Sequence, residues 1–191
     1  MNEEKLVWKE EDRKRVYDCR VFSVNEIYSK SPFDEMRSFT VIDAADWVIT
    51  IPVRETPGGK KFVMVRQWRH GSRSLSLEFP GGVCESGEDP QDAAARELLE
   101  ETGYKAGKIR KLGEFCPNPA IMSNKVHFFL AEDVADTGRL NLDTDEFVET
   151  ELVDADEVIG GMGSPPYVHA LMGSAVSLYM QHHANSVILN Q

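Results

Sequence analysis

The sequence predicts a mixed α/β fold of the α+β class, with an antiparallel β segment at its N-terminal end. Three observations carry this. Apolar and polar residues alternate in short runs through the first eighty positions, as they do in half-buried strands. The run Thr56-Pro57-Gly58-Gly59-Lys60 separates two such stretches with strong hairpin chemistry. One long helical stretch opens on Asp89-Pro90, an N-cap followed by proline at the first helical position, and stops at Gly103, a residue suited to a C-cap.

Taken in order, residues 16–28 read as a strand, Ser31-Pro32-Phe33-Asp34 as a turn, and 36–43 as the returning strand. Residues 1–45 are therefore expected to form a small separate sheet, and 46–191 the main domain. Residues 47–53 and 62–67 flank the hairpin turn, and 75–79 make a further short strand. Beyond the helix, 109–114, 125–131 and 147–153 read as strands and 154–159 as a short helix. After a loop at 160–166, residues 168–182 read as a helix whose Leu171, Met172, Ala175, Leu178 and Tyr179 pack on the sheet.

At 191 residues, 41% hydrophobic and 28% charged, the chain has an ordinary globular composition and buries a core without staples. Its 21 Lys and Arg against 32 Asp and Glu leave a net charge of −11. That argues against a general nucleic-acid coat protein, while a local basic pocket still admits a nucleotide-sized substrate. Cys19, Cys84 and Cys116 make neither a CxxC metal pattern nor a disulfide framework. No run approaches the ~18 apolar residues of a membrane helix, and residues 1–15 lack the apolar stretch of a signal peptide. A soluble cytoplasmic chain, bound to neither membrane nor nucleic acid, is expected.

The chemistry concentrates between Gly82 and Tyr104, where seven acids stand against one base, Arg96. On a helix, Glu97, Glu100 and Glu101 fall within an arc of roughly 100°. Ala93 and Ala94 flank that arc, and Ala95, Leu98, Leu99 and Thr102 are expected to face the core. Like charges at this spacing cost a few tenths of a kcal/mol per pair, a cost that a bound cation relieves. Hard oxygen ligands without His or Cys point to Mg²⁺ or Mn²⁺ rather than zinc. The one concentrated basic patch is Arg66, Arg69 and Arg73 with His70, and arginine offers bidentate phosphate contacts. On a strand, Arg66 and Trp68 take one face and Gln67 and Arg69 the other.

Gly82, Glu88, Arg96, Glu97, Leu98, Glu100, Glu101, Gly103 and Tyr104 match every fixed position of a known pattern, G-x5-E-x7-R-E-U-x-E-E-x-G-U with U apolar or aromatic. The segment resembles the Nudix box. The resemblance implies an α/β/α sandwich around a mixed sheet and Mg²⁺-dependent hydrolysis of nucleoside diphosphates linked to another group. It implies Glu97 and Glu101 as principal metal ligands with Glu100 beside them, and the Gly81 carbonyl as a further ligand. Arg96 would orient the glutamates, and Glu88 would support the loop or a further metal.

Gln67, Trp68, Arg69, Glu78, Pro80 and Gly82 are similar to the approach to the box in ADP-ribose pyrophosphatases, and Pro119 lies where that subgroup commonly has a proline. This implies a nucleoside diphosphate sugar substrate, with Arg69, Glu78 and Pro119 at its site, and the basic patch adds Arg66 as a further candidate. It also implies a homodimer formed through a swapped N-terminal sheet, with adenine stacking on Trp47 or, less favourably, Tyr28. The loop at 116–125 departs from the subgroup. It carries Asn118, Ala120 and Lys125 where a glycine and an acid are usual, so ADP-ribose, another ADP-sugar and GDP-mannose all stay open. In related enzymes a glutamate from a late loop activates water. Glu146 is the first choice here and Glu149 the second, with Glu100 or Glu101 as alternatives. The rival of a different class is a non-catalytic nucleotide-sensing module, against which the intact box weighs.

Overall fold

A computed structural model describes residues 3–138, 140 and 147–188. The chain divides into two compact units, Met1–Asp46 with Cys116–Lys125, and Trp47–Phe115 with Val126–Gln191. Because 116–125 belongs to the first unit, no single cut in the sequence separates the two.

The first unit is a three-stranded antiparallel sheet, β1 (Lys9–Asp18), β2 (Phe22–Lys30) and β3 (Met36–Ala44), in that order. The single strand expected over 16–28 is thus two strands. Cys19 breaks it, its N–H donating to the Phe22 carbonyl at 3.0 Å across a tight turn. Strand β1 is exposed along its whole length and reads KEEDRKRVYD, so no apolar alternation announces it. The second piece of chain attaches through backbone pairing: Ile42 N–H donates to Ile121 O at 2.7 Å, and Ser123 N–H to Ile42 O at 3.1 Å. The Asn124 amide donates to Ala45 O at 3.1 Å.

The second unit runs β4 (Trp47–Thr56), β5 (Gly59–Arg69), β6 (Ser74–Glu78), α1 (Pro90–Thr102), β7 (Tyr104–Lys105), β8 (Lys108–Phe115), β9 (Val126–Glu132), β10 (Ala135–Asp136), β11 (Val148–Asp154), α2 (Ala155–Gly161) and α3 (Ala170–Ile188). Its six-stranded mixed sheet has the order β11-β5-β4-β9-β8, with β6 on β5. Strands β4 and β9 run parallel, and the other pairs are antiparallel.

Strand alternation sorts the core onto two faces. Val48 and Phe129 pack with Ala93 and Ala94 of α1, and Val63 and Ala131 with Leu98. Ile49, Ile51, Phe62, Met64, Phe128 and Leu130 pack with Met172, Ala175, Val176 and Tyr179 of α3. One helix on each face makes the α/β/α sandwich that the resemblance implied. Fully buried Thr50 ties β4 to α1, its hydroxyl donating to Ala94 O at 3.1 Å. No helix among the described residues is long and apolar enough to cross a membrane.

The buried face of α1 differs from the expected one. Ala93, Ala94, Glu97, Leu98, Glu101 and Thr102 are buried, whereas Ala95 and Leu99 are exposed. Leu98 and Leu99 diverge by about 100°, so only one of them can reach the sheet. Burial of Glu97 and Glu101 beside the preceding loop decides which.

Candidate active site

Helix α1 is held at both ends. The Asp89 carboxylate accepts the Gln91 N–H at 2.8 Å, and Pro90 occupies the first turn. Gly103 takes φ 72°, a left-handed conformation that glycine adopts without strain, and its N–H donates to Leu99 O at 2.9 Å. Thr137 fastens the Gly103 carbonyl with its N–H at 3.0 Å and its hydroxyl at 2.7 Å.

Arg96 resolves the repulsion among the acids. Its Nε and Nη2 donate to the two oxygens of Glu88 at 2.9 and 3.0 Å. Its Nη1 donates to Glu97 at 2.8 Å and Glu100 at 3.0 Å, and Nη2 also reaches the Val83 carbonyl at 3.1 Å. One guanidinium thus binds three carboxylates and the loop. Hydrogen bonding to Arg96 holds Glu88 below the usual carboxylate range, and the same contacts raise Arg96 further. Glu101 turns to the glycines instead, accepting the Gly81 N–H at 2.9 Å.

Gly81 and Gly82 are demanded by close approach. A Cβ on Gly82 would collide with the Glu97 carboxylate, and one on Gly81 with the Val48 carbonyl. Both glycines border a cavity of about 610 Å³. Trp47, Ile49, Phe79 and Met172 give it apolar walls, while Arg69, Ser76, Glu78 and His169 line it with polar groups. Arg69 grips buried Glu78 through Nε at 2.9 Å and Nη2 at 2.6 Å. His169 Nδ1 lies 2.6 Å from the same carboxylate. Burial pushes the Glu78 pKa up, but the hydrogen bonds from Arg69 and His169 outweigh it and bring it to about 2.

The expected residues do not all converge. Arg96, Glu88, Glu97 and Glu100 share one network, and Glu101 joins Gly81. Trp47, Arg69, Glu78, Gly81 and Gly82 line the cavity. Arg66 does not line it. Strand parity turns it to the opposite face of β5, where it pairs bidentately with Glu151, one contact being 3.1 Å, and lines a separate cavity with Tyr167. Pro119 is exposed and belongs to the first unit, as does Tyr28. Glu149 is exposed on β11, and Glu146 lies outside the described residues. His169 and Ser76 escaped the sequence reading. His169 precedes α3 and stands 91 positions from Glu78, a distance over which no local pattern operates.

The box geometry has its counterpart among known proteins. The profile of the NUDIX domain matches residues 46–171. The chain belongs to the Nudix family. Two relatives are each 40% identical over part of it. For an ADP-ribose pyrophosphatase of Bacillus subtilis the match spans 100 residues, 52% of this chain and 54% of the relative. For an ADP-sugar pyrophosphatase of Mus musculus it spans 85 residues, 44% of this chain and 39% of the relative. The chain thus spans about half or less of the length of these relatives. A crystal structure of an ADP compounds hydrolase superposes with a TM-score of 0.80 at 21% identity, covering 93% of this chain and 96% of that one. That likeness establishes the Nudix fold.

Proposed function

We propose that this chain hydrolyses the pyrophosphate bond of a nucleoside diphosphate sugar, ADP-ribose foremost, to a nucleoside monophosphate and a sugar phosphate. The observation that carries the reading is the junction at Gly81-Gly82. There a carboxylate cluster ordered by Arg96 meets a cavity lined by an arginine and aromatic walls. Both pyrophosphatase relatives support the reading by name.

Hydrolases of this family generally use a divalent metal. Among the described residues no three His, Cys, Asp or Glu side chains are drawn together as a ready cage. The donor set still fits Mg²⁺ or Mn²⁺, because Glu97, Glu100 and Glu101 lie within two turns of α1 and offer hard oxygens only. Glu97, Glu100, Glu101 and the Gly81 carbonyl would hold the ion. Bound there, it would neutralise diphosphate charge and acidify water. Arg96 orients Glu97 and Glu100, Glu88 braces Arg96 against the loop, and the Gly81 N–H fixes Glu101. Glu146 is proposed to accept the proton of the attacking water, with Glu149 second.

The test is product release from ADP-ribose, ADP-glucose, GDP-mannose and 8-oxo-dGTP, with Mg²⁺, with EDTA, and with Glu101→Gln. The expected result is metal-dependent cleavage of ADP-ribose that falls to background in the variant while the fold persists. Binding without turnover by the unaltered chain would favour the sensing module instead.

A homodimer formed through the first unit is proposed on the exposed aromatic and aliphatic groups of that sheet, including Trp8, Tyr17, Phe22 and Phe39. Sedimentation velocity on the full chain reads the outcome directly, and a monomer at all concentrations sinks this part. A cytoplasmic compartment is proposed, in keeping with Cys19, Cys84 and Cys116 standing outside any disulfide.

A further inference from the structure

The cavity holds a polar device that the box does not contain. Glu78, at the end of β6, is only 2% exposed. Its carboxylate faces the Arg69 guanidinium on one side and the His169 ring on the other. A carboxylate ionised at neutral pH only accepts hydrogen bonds, so the hydrogen between Glu78 and His169 sits on Nδ1. In the neutral ring this fixes the tautomer and leaves the lone pair on Nε2. A carboxylate behind one imidazole nitrogen sets the other for use, as it does in second shells of metal and catalytic sites. Among the described residues, neither His169 Nε2 nor Arg69 Nη1 has a protein partner, and both side chains are partly exposed at the cavity.

We propose that His169 is a ligand-contacting, specificity-determining residue, whose Nε2 hydrogen-bonds a hydroxyl of the sugar half while Arg69 Nη1 takes an oxygen of the adjoining phosphate. The identity of the ligand rests on the nucleoside diphosphate sugar reading given above. The pairing of groups follows from chemistry. A sugar phosphate presents hydroxyls, which both donate and accept, beside an anion, and this cavity presents an imidazole nitrogen beside a guanidinium. Arg69, His70, Ser72, Ser76, Glu78 and His169 supply the polar side of a cavity otherwise walled by Trp47, Ile49, Phe79 and Met172, and such polar groups orient a ligand.

Calorimetric titration of the full chain with ribose 5-phosphate, AMP and ADP-ribose in EDTA tests this without turnover. His169→Ala is expected to weaken ribose 5-phosphate and ADP-ribose roughly tenfold, the value of one hydrogen bond, and to leave AMP within about twofold. His169→Gln, whose amide still donates to Glu78, recovers part of the loss. A thermal melt of each variant separates misfolding from lost contact, and if His169→Ala unfolds, His169→Gln against the unaltered chain carries the comparison. Equal weakening of AMP, or no weakening of any ligand, overturns the proposal. An unaltered chain that binds none of the three overturns it together with the substrate reading. Selective loss in a chain that binds ADP-ribose but never cleaves it sustains the proposal and overturns only hydrolysis.

Discussion

Two arginines act as hubs for carboxylates, one in each unit, and they differ in what surrounds them. Arg13, on β1, donates to Glu10 at 2.8 Å and reaches Asp43 on β3. Arg96, on α1, holds Glu88, Glu97, Glu100 and the Val83 carbonyl. The Arg13 side chain is 38% exposed and its partners 40% and 35%, whereas Arg96 is 28% exposed and its partners Glu88, Glu97 and Glu100 are 16%, 12% and 33%. Exposed ion pairs are worth little because water and salt screen them and ordering long side chains costs entropy. More deeply set carboxylates fall back on solvent less easily, so removing Arg96 takes away charge compensation that water replaces poorly. Depth, rather than the number of contacts, separates a surface ornament from a structural requirement.

Five substitutions probe that difference. Arg96→Ala is expected to be the most damaging, costing about 3 kcal/mol of stability and lowering turnover roughly 10–100-fold. Urea unfolding and initial rates measure the two effects, and a cost below about 0.5 kcal/mol would erase the contrast with Arg13.

Glu78→Gln comes next and adds a pH signature. The folded pKa of about 2 lies below the unfolded value near 4.5. A depressed carboxylate contributes stability that is fully present above the unfolded pKa and is lost as pH falls from about 4.5 towards 2. The contribution at neutral pH is on the order of 3 kcal/mol. Unfolding followed between pH 5 and pH 2 should show a steep loss in the unaltered chain and a shallower one in the variant. Parallel curves would assign the acid sensitivity elsewhere.

Gly82→Ala sharpens the comparison within the site. Its new Cβ meets the Glu97 carboxylate, a side-chain end that can shift, so turnover should fall more than the melting temperature does. Gly81→Ala meets the Val48 backbone and should reverse that order, costing about 1–3 kcal/mol. The smallest effect is expected for Arg13→Ala, within about 0.5 kcal/mol and independent of added salt above physiological strength. A larger loss would mean that the sheet surface is covered in solution.

Much of the candidate site was legible because its determinants are local. The cap at Asp89, Pro90 and Gly103, the spacing of the glutamates and the close-approach glycines all lie within one contiguous stretch, and the physics of a single helix reads them. The core stripe of α1 is ambiguous in sequence because Leu98 and Leu99 look alike, and in the structure Leu98 turns inward beside buried Glu97 and Glu101. Strand β1 was missed because an exposed strand has no apolar face to alternate. Strand parity alone separates Arg66 from Arg69, but their partners Glu151 and Glu78 come from different strands and no local pattern names them. His169 was invisible for the same reason, its role being conferred by a carboxylate from a distant strand.

The interleaving of the two units bears on how the chain acquires its shape during synthesis. The ribosome releases β1, β2 and β3 early, but the backbone partners of Ile42 and Ala45 are Ile121, Ser123 and Asn124. Those partners emerge only after β4, β5, β6, α1 and β8 have followed. The N-terminal sheet therefore lacks these backbone partners while β4 to β8 and α1 are translated. The first unit thus gains its last segment only in the second half of translation, which gives it contacts of high sequence separation.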